Sequence, residues 1–242
     1  MLFLCLSILY CLESVTSVAR SLGYWFDSPA AGFTLQQSLA VFSRAVMMLF
    51  MPLLGLLADK NALKIDDLFF LAMCVPVLFL FGTHLARRFF YFGFSVPIFS
   101  IIKHGKLFSR NFLNLKSRDD FESRHLKAKD AASRVAEETV RKFRAFYFVV
   151  FLSYVPLYLS WPLVIVLLNA LPENRAMIIG LSSWLSGINT LAISLYIDPK
   201  LAYLAKDLGK AYIIYDHLLI VRFWACFVAT LLVSIIVISL PF

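Results

Sequence analysis

The chain has 242 residues, 61% of them hydrophobic and only 16% charged, with a formal net charge of +8 and a mean hydropathy of +0.80. A soluble domain is roughly 45–50% apolar and about 25% charged, so the composition excludes an ordinary soluble enzyme and points to an integral membrane protein. The long apolar runs lack strand-like alternation, which favours helices over a barrel. The positive excess sits beside those runs, where the positive-inside rule and anionic lipid account for it; the implied partner is a phospholipid bilayer and not a nucleic acid.

Met1 to Leu12 is apolar but has no basic leader, and Glu13 and Arg20 stand where a cleavage site would be expected. The stretch reads as the start of a first membrane helix, Leu2 to Gly23. Glu13, Ser17 and Arg20 fall at i, i+4 and i+7 and share one helix face. Two readings stand: a Glu13–Arg20 pair that satisfies itself inside the bundle, or a carboxylate linked to protons or substrate.

Asp27, Pro29 and Gly32 break the chain. The second helix then takes Phe33 to Ala58, with a kink expected at Pro52. At ~1.5 Å per residue, about 20 residues cross a bilayer. The only charge inside this span is Arg44, near its middle. An arginine at that depth costs roughly 2.5–3.5 kcal/mol on insertion scales. It is accounted for by a structural ion pair or by contact with an anionic substrate; its central position argues against snorkelling to the surface.

A third helix covers Leu68 to Leu85. From Arg87 to Arg144 there are 14 basic and 6 acidic residues. Phe89 to Ile102 is aromatic and suits an interface. Asp119 to Arg144 reads as a cytoplasmic amphipathic helix that continues into the fourth span, with favourable pairs Asp130–Arg134, Glu137–Arg141 and Glu138–Lys142. The fourth helix is Ala145 to Leu168. The fifth is Ala176 to Ile197, ended by Asp198-Pro199. Its small residues Ser183, Ser186, Gly187, Thr190 and Ser194 predict close helix packing, and Asn189 is a further buried polar candidate. A polar loop with Lys200, Lys206 and Lys210 leads to the sixth helix, Leu218 to Leu240, with Arg222 near its start.

The expected fold is an all-α polytopic membrane protein with about six transmembrane helices in one membrane domain: helices one to three in 1–88, a basic cytoplasmic or interfacial segment in 89–144, and helices four to six in 145–242. Basic loops place Arg87–Arg144 and Asp198–Asp216 inside and both termini outside. The two three-helix halves then have opposite orientation, as an inverted repeat requires.

Cys5, Cys11, Cys74 and Cys226 lie in apolar runs without a CxxC, and the four histidines are scattered, so no metal site or cofactor is expected. There is no GxxxxGK[ST] and no GxGxxG for nucleotide. The only dense acidic run, Asp119, Asp120 and Glu122, lies among cations, and no catalytic constellation is visible. The chain reads as a transporter and not an enzyme.

Two stretches carry a family resemblance. One is Leu12-Glu13-Ser14 through Arg20 and Gly23 to Ser38-Leu39-Ala40-Val41-Phe42-Ser43-Arg44 and Pro52-Leu53-Leu54-Gly55. The other is Leu181-Ser182-Ser183, Gly187, Thr190, Ile197-Asp198-Pro199, Leu201-Ala202 and Asp207, followed by Arg222. Both resemble the Amj family of bacterial membrane proteins, alternates to the MurJ flippase. The resemblance implies a multi-pass protein of the bacterial cytoplasmic membrane that moves lipid II, an undecaprenyl-pyrophosphate-linked disaccharide-pentapeptide, to the outer leaflet. Ala45-Val46-Met47-Met48 after Arg44 departs from the pattern, which leaves room for another polyprenyl-linked saccharide such as an O-antigen unit.

A pyrophosphate is the costly part of such a substrate in low dielectric. An arginine stays charged and forks onto phosphate oxygens. The candidate substrate-binding residues are therefore Arg44, Arg20, Glu13, Arg222, Asn189 and Asp198. Arg20 and Arg222 are expected to capture the anion and Arg44 to escort it, with Glu13 paired to an arginine when the site is empty. A non-transporting membrane scaffold and an enzyme acting on polyprenyl substrates are the other readings.

Overall fold

The computed structural model describes residues 2–59, 65–107, 116–204 and 207–239. Among these the secondary structure is helical throughout, in the order α1 (Leu2–Trp25), α2 (Pro29–Asp59), α3 (Ile65–Leu85), α4 (Arg87–His104), α5 (Lys116–Ser133), α6 (Ala136–Lys142), α7 (Arg144–Ala170), α8 (Arg175–Ala192), α9 (Asp198–Leu204) and α10 (Leu208–Ser239). A 3₁₀ turn, Pro172–Asn174, precedes α8, and a π-helical turn, Ile193–Ile197, joins α8 to α9. Five helical stretches are long and apolar enough to cross a membrane, and six if the bent pair α3 and α4 counts as one. The chain is an all-α polytopic protein. Lys60 and Lys206, which the sequence places in loops, lie outside the described residues.

The α1–α2 hairpin follows from its local sequence. Asp27 takes the left-handed conformation at φ 55°, Ser28 N–H donates to the Gly23 carbonyl (2.8 Å) and Asp27 N–H to that of Tyr24 (3.1 Å). This is the Schellman stop, with aspartate tolerated where glycine is usual. Pro29, which has no N–H to lose, then opens α2. The two helices cross at Gly23 and Gly32: a Cβ on Gly23 would lie 2.6 Å from Gly32 Cα and 2.8 Å from its nitrogen. As expected, Pro52 lies inside α2, which continues through it to Asp59.

α3 turns by 80° into α4. Such a bend lays the aromatic α4 across the bundle end, as an interfacial helix would lie. Tyr91 and Ile98 of α4 pack there with Val18, Leu22 and Trp25 of α1, Phe26 of the following turn, Leu35 of α2 and Ala128 of α5. The expected single amphipathic helix over Asp119–Arg144 is instead two helices, broken at Arg134-Val135 and again at Phe143. The break at 134 follows the end of α5 and disrupts the Asp130–Arg134 spacing. Neither that pair nor the Glu137–Arg141 and Glu138–Lys142 pairs form an ion pair; Arg88–Glu122 (3.4 Å) and Arg87–Asp216 do. Arg124 also caps the end of α1, donating to the Trp25 carbonyl at 3.3 Å.

A second core runs along α7 and α10, from Phe146 to Leu168 and from Ile214 to Ala229. Phe50 and Leu54 of α2 are fully buried against α7, with Phe50 edge-on to Trp161 at 4.8 Å. The main correction to the C-terminal half concerns Pro199. It does not end the fifth span: the chain passes through the π turn, where Asp198 N–H donates to the Ile193 carbonyl five residues back, and continues as α9. The last span starts at Leu208, ten residues before the expected Leu218, so Arg222 sits near the middle of a 32-residue helix and not near its start.

Two measurable consequences follow. Gly23→Ala forces backbone against backbone and is expected to cost roughly 1–3 kcal/mol, seen as a lower thermal midpoint in detergent. The second concerns His125 of α5, which packs against Trp25 (5.3 Å between centroids) and Tyr212 (5.9 Å). Burial first, then Arg88, Lys129 and Arg87, hold its imidazole below the usual histidine value, with Glu122 opposing. The undocked state therefore takes up more protons, and docking weakens as pH falls through about 6.5. The hydrogen-exchange protection factors over α5, corrected for the intrinsic pH dependence of exchange, should fall from about pH 7 to about pH 5, and His125→Phe should remove that dependence.

Candidate functional site

A polar cavity of about 360 Å³ is lined by residues of α1, α2, α7, α8, α9 and α10. No residue of α2 between Leu35 and Phe50 is buried. The α2 and α8 spans bury only 17% of their most apolar stretch each, against 50% for α1 and 56% for α7. The cavity lies between these two loosely held helices. It runs open along their seam, where Gln37, Arg44, Thr190 and Ser194 are exposed. Further along the two helices, away from α4 and α5, α2 and α8 approach each other: a Cβ on Gly55 would lie 3.9 Å from Ile179 Cδ1.

All six candidate residues from the sequence line this one cavity: Glu13 and Arg20 from α1, Arg44 from α2, Asn189 from α8, Asp198 from α9 and Arg222 from α10. Their pairing differs from expectation. Glu13 and Arg20 do not pair with each other. Arg20, 8% exposed, forms an ion pair with Asp198, reaches Gln36 Oε1 at 3.4 Å and lies 5.9 Å from the Phe33 ring centroid. Glu13 pairs instead with Arg222, Oε1 to Nη2 at 3.1 Å.

Arg222 is 1% exposed and densely coordinated. Its Nε and Nη2 donate to Tyr158 Oη at 3.2 and 3.1 Å, its Nη1 to Ser17 Oγ at 3.2 Å, and its Nη2 also to the Glu13 carbonyl. The Tyr154 ring covers its other side at 4.7 Å. A guanidinium so committed is a structural centre, which corrects the expectation that Arg222 is free to capture an anion. Arg44 is the converse: it is exposed on the cavity wall and, among the described residues, makes no hydrogen bond or ion pair. No structural ion pair forms there among those residues.

No family model, curated protein or solved structure matches the chain. The site is therefore read from its own chemistry.

The small residues of α8 have another role than the one expected. Ser186, Thr190 and Ser194 line the cavity, and a Cβ on Gly187 would meet nothing within 4 Å. They leave space for an occupant and do not form a packing seam. The sequence reading overlooked Gln36, Gln37, Tyr154, Tyr158 and Tyr215. The adjacent glutamines inside an apolar helix and the i, i+4 spacing of Tyr154 and Tyr158 were visible signals. Which way they faced was not.

Arg222→Leu leaves Glu13 without its cation in a low-dielectric region and is expected to cost on the order of 3–5 kcal/mol. Thermal unfolding in detergent should show this, with part of the loss recovered in Arg222→Leu/Glu13→Gln, the signature of a coupled pair.

Proposed function

We propose that the chain is a flippase that carries a polyprenyl-pyrophosphate-linked saccharide across the bilayer, with lipid II as the substrate that the Amj resemblance favours. The single observation that carries this reading is Arg44. Among the described residues it is an unpaired cation at the middle of an apolar span, on the wall of a polar cavity that is open along its side. An anionic headgroup offsets the cost of leaving that charge unpaired, and a lateral opening lets a polyprenyl tail stay in lipid while the headgroup moves. The cavity size falls in the range of small-ligand sites. It has room for a pyrophosphate and nearby sugar atoms, and the rest of a large headgroup would extend from the opening.

The roles divide accordingly. Arg44 forks onto the phosphate oxygens. Arg20, held by Asp198, is an exchangeable cation: an entering phosphate competes with that carboxylate. Arg222 and Glu13 brace α1 against α10 and keep the wall in place. On this reading the basic α4–α5 end lies in the cytoplasm, and substrate enters the cavity along the seam between α2 and α8. The inverted-repeat reading is supported by α2 and α8, the middle span of each half, which are the two least buried and face each other across the cavity. The alternative of a non-transporting scaffold gives no reason for an unpaired Arg44 at that depth.

The test is a leaflet assay in bacteria depleted of their own lipid II flippase, using an impermeable enzyme that cleaves only lipid II exposed outside. Expression of the chain is expected to restore cleavage. Arg44→Ala should reduce it at least about tenfold at unchanged abundance, and Arg44→Lys should retain part of it because the charge remains while the fork is lost. No cleavage by the inserted wild-type protein would move the substrate to another polyprenyl-linked saccharide.

A further inference from the structure

The cavity wall contains an ion pair that an anionic occupant must disturb. Arg20 Nη1 donates to Asp198, and the same nitrogen reaches Gln36 Oε1. Both side chains of the pair face the cavity and keep some exposure, 9% for Arg20 and 23% for Asp198. On the whole wall, Arg20, Arg44 and Arg222 are positive and Glu13 and Asp198 negative, which leaves one net positive charge. A diphosphate that links a prenyl chain to a sugar brings one negative charge on each phosphate. The filled cavity would then be net negative in a region of low dielectric, with phosphate and Asp198 competing as like charges for one guanidinium.

One proton removes both costs. Among the described residues, the charged and titratable groups about Asp198 are Arg20 and Tyr24 from α1, Arg44 from α2, Tyr154 from α7 and Tyr215 from α10, with Tyr196 and Lys200 beside it in sequence. Guanidinium, ammonium and phenol groups already hold their protons. His217 stacks on Tyr147 with Nδ1 at 3.0 Å from the Ile213 carbonyl, and it is not part of the cavity wall. The two carboxylates remain. Neutralising Glu13 strands Arg222, which is 1% exposed, without its counter-charge. Arg20, by contrast, exchanges carboxylate for phosphate and stays paired. We propose that Asp198 takes up one proton from water in the cavity when a diphosphate binds. The proton forms an O–H bond on the carboxylate that Arg20 releases, and Arg20 keeps its charge and turns to the phosphate. This rests on reading the cavity as a phosphate site, and it adds that occupancy is coupled to a proton. By linkage, affinity at each face of the membrane then depends on the pH there.

The test is calorimetric titration of the full chain in nanodiscs with farnesyl diphosphate N-acetylglucosamine, a diester whose phosphates do not titrate near neutral pH. Two buffers with different heats of protonation count the protons taken up. The wild type is expected to take up about one proton per bound probe, and its affinity to weaken by up to about tenfold per pH unit between about pH 6 and about pH 8. Asp198→Asn should take up none and bind equally at all these pH values, at least as tightly as the wild type at about pH 6, because Arg20 starts without a competing charge. A loss of structure alone would weaken binding instead.

A wild type that binds without proton uptake overturns the proposal and leaves the phosphate site standing. So does weaker binding by folded Asp198→Asn, or uptake that persists in it. Should that variant not fold, persistent uptake in Arg20→Gln/Asp198→Asn, which removes both charges together, has the same meaning. A wild type that binds no probe at any of these pH values removes the phosphate site and the proton with it. Lipid II cleavage in the leaflet assay alongside binding without uptake keeps the transport reading and removes only the proton.

Discussion

Arg222 places a positive charge near the middle of α10, and much of the bundle is arranged around it. In a bilayer such a charge is tolerated only when its donors are satisfied and an opposite charge is near. Here α1 supplies Glu13 and Ser17, and α7 supplies Tyr154 and Tyr158. The contacts bring together residues 205 and 209 positions apart. The first and last spans are thereby fixed side by side, with α7 across them. This costs one buried ion pair, and the return is specificity of arrangement: apolar helices in lipid have little else to set their rotation and register.

Once α1, α7 and α10 are locked, α2 and α8 have less to hold them. α2 is anchored at its start by the Gly23–Gly32 crossing and near its far end by Phe50 and Leu54. The stretch between is left unpacked, and the cavity occupies that space. The same separation explains the contrast between the arginines. Arg222 faces two helices, α1 and α7, and is saturated. Arg44 faces the gap and is not. Arg20 lies between these extremes, held by one carboxylate on a short helix.

The π turn at Ile193–Ile197 serves that third pairing. It carries the chain into a proline-containing helix without a break and delivers Asp198 to Arg20. Such turns mark places where regular helix geometry has been given up, often at functional sites. Here Ile193, Ser194 and Ile197 of the turn all line the cavity. A local departure in the backbone thus links the α8 wall to the ion pair that ties α9 to α1.

The sequence by itself determined the class of the protein, the approximate number and positions of the spans, and which polar residues are out of place in them. These are properties of composition and of single segments: hydrophobicity sets a span's length, and a charge inside one is conspicuous wherever its partner lies. Glu13, Arg20, Arg44, Asn189, Asp198 and Arg222 were all legible on that ground. Only the tertiary structure decided who pairs with whom. Glu13 and Arg20 share a helix face but diverge to partners on α10 and α9, because helix rotation is set by packing between segments far apart in sequence. The same reason hid the π turn that precedes Pro199, where helical continuity came from backbone bonds that residue preferences do not reveal. It also hid the role of the α8 serines, since a small residue reads alike whether a neighbouring helix or an empty cavity lies beside it.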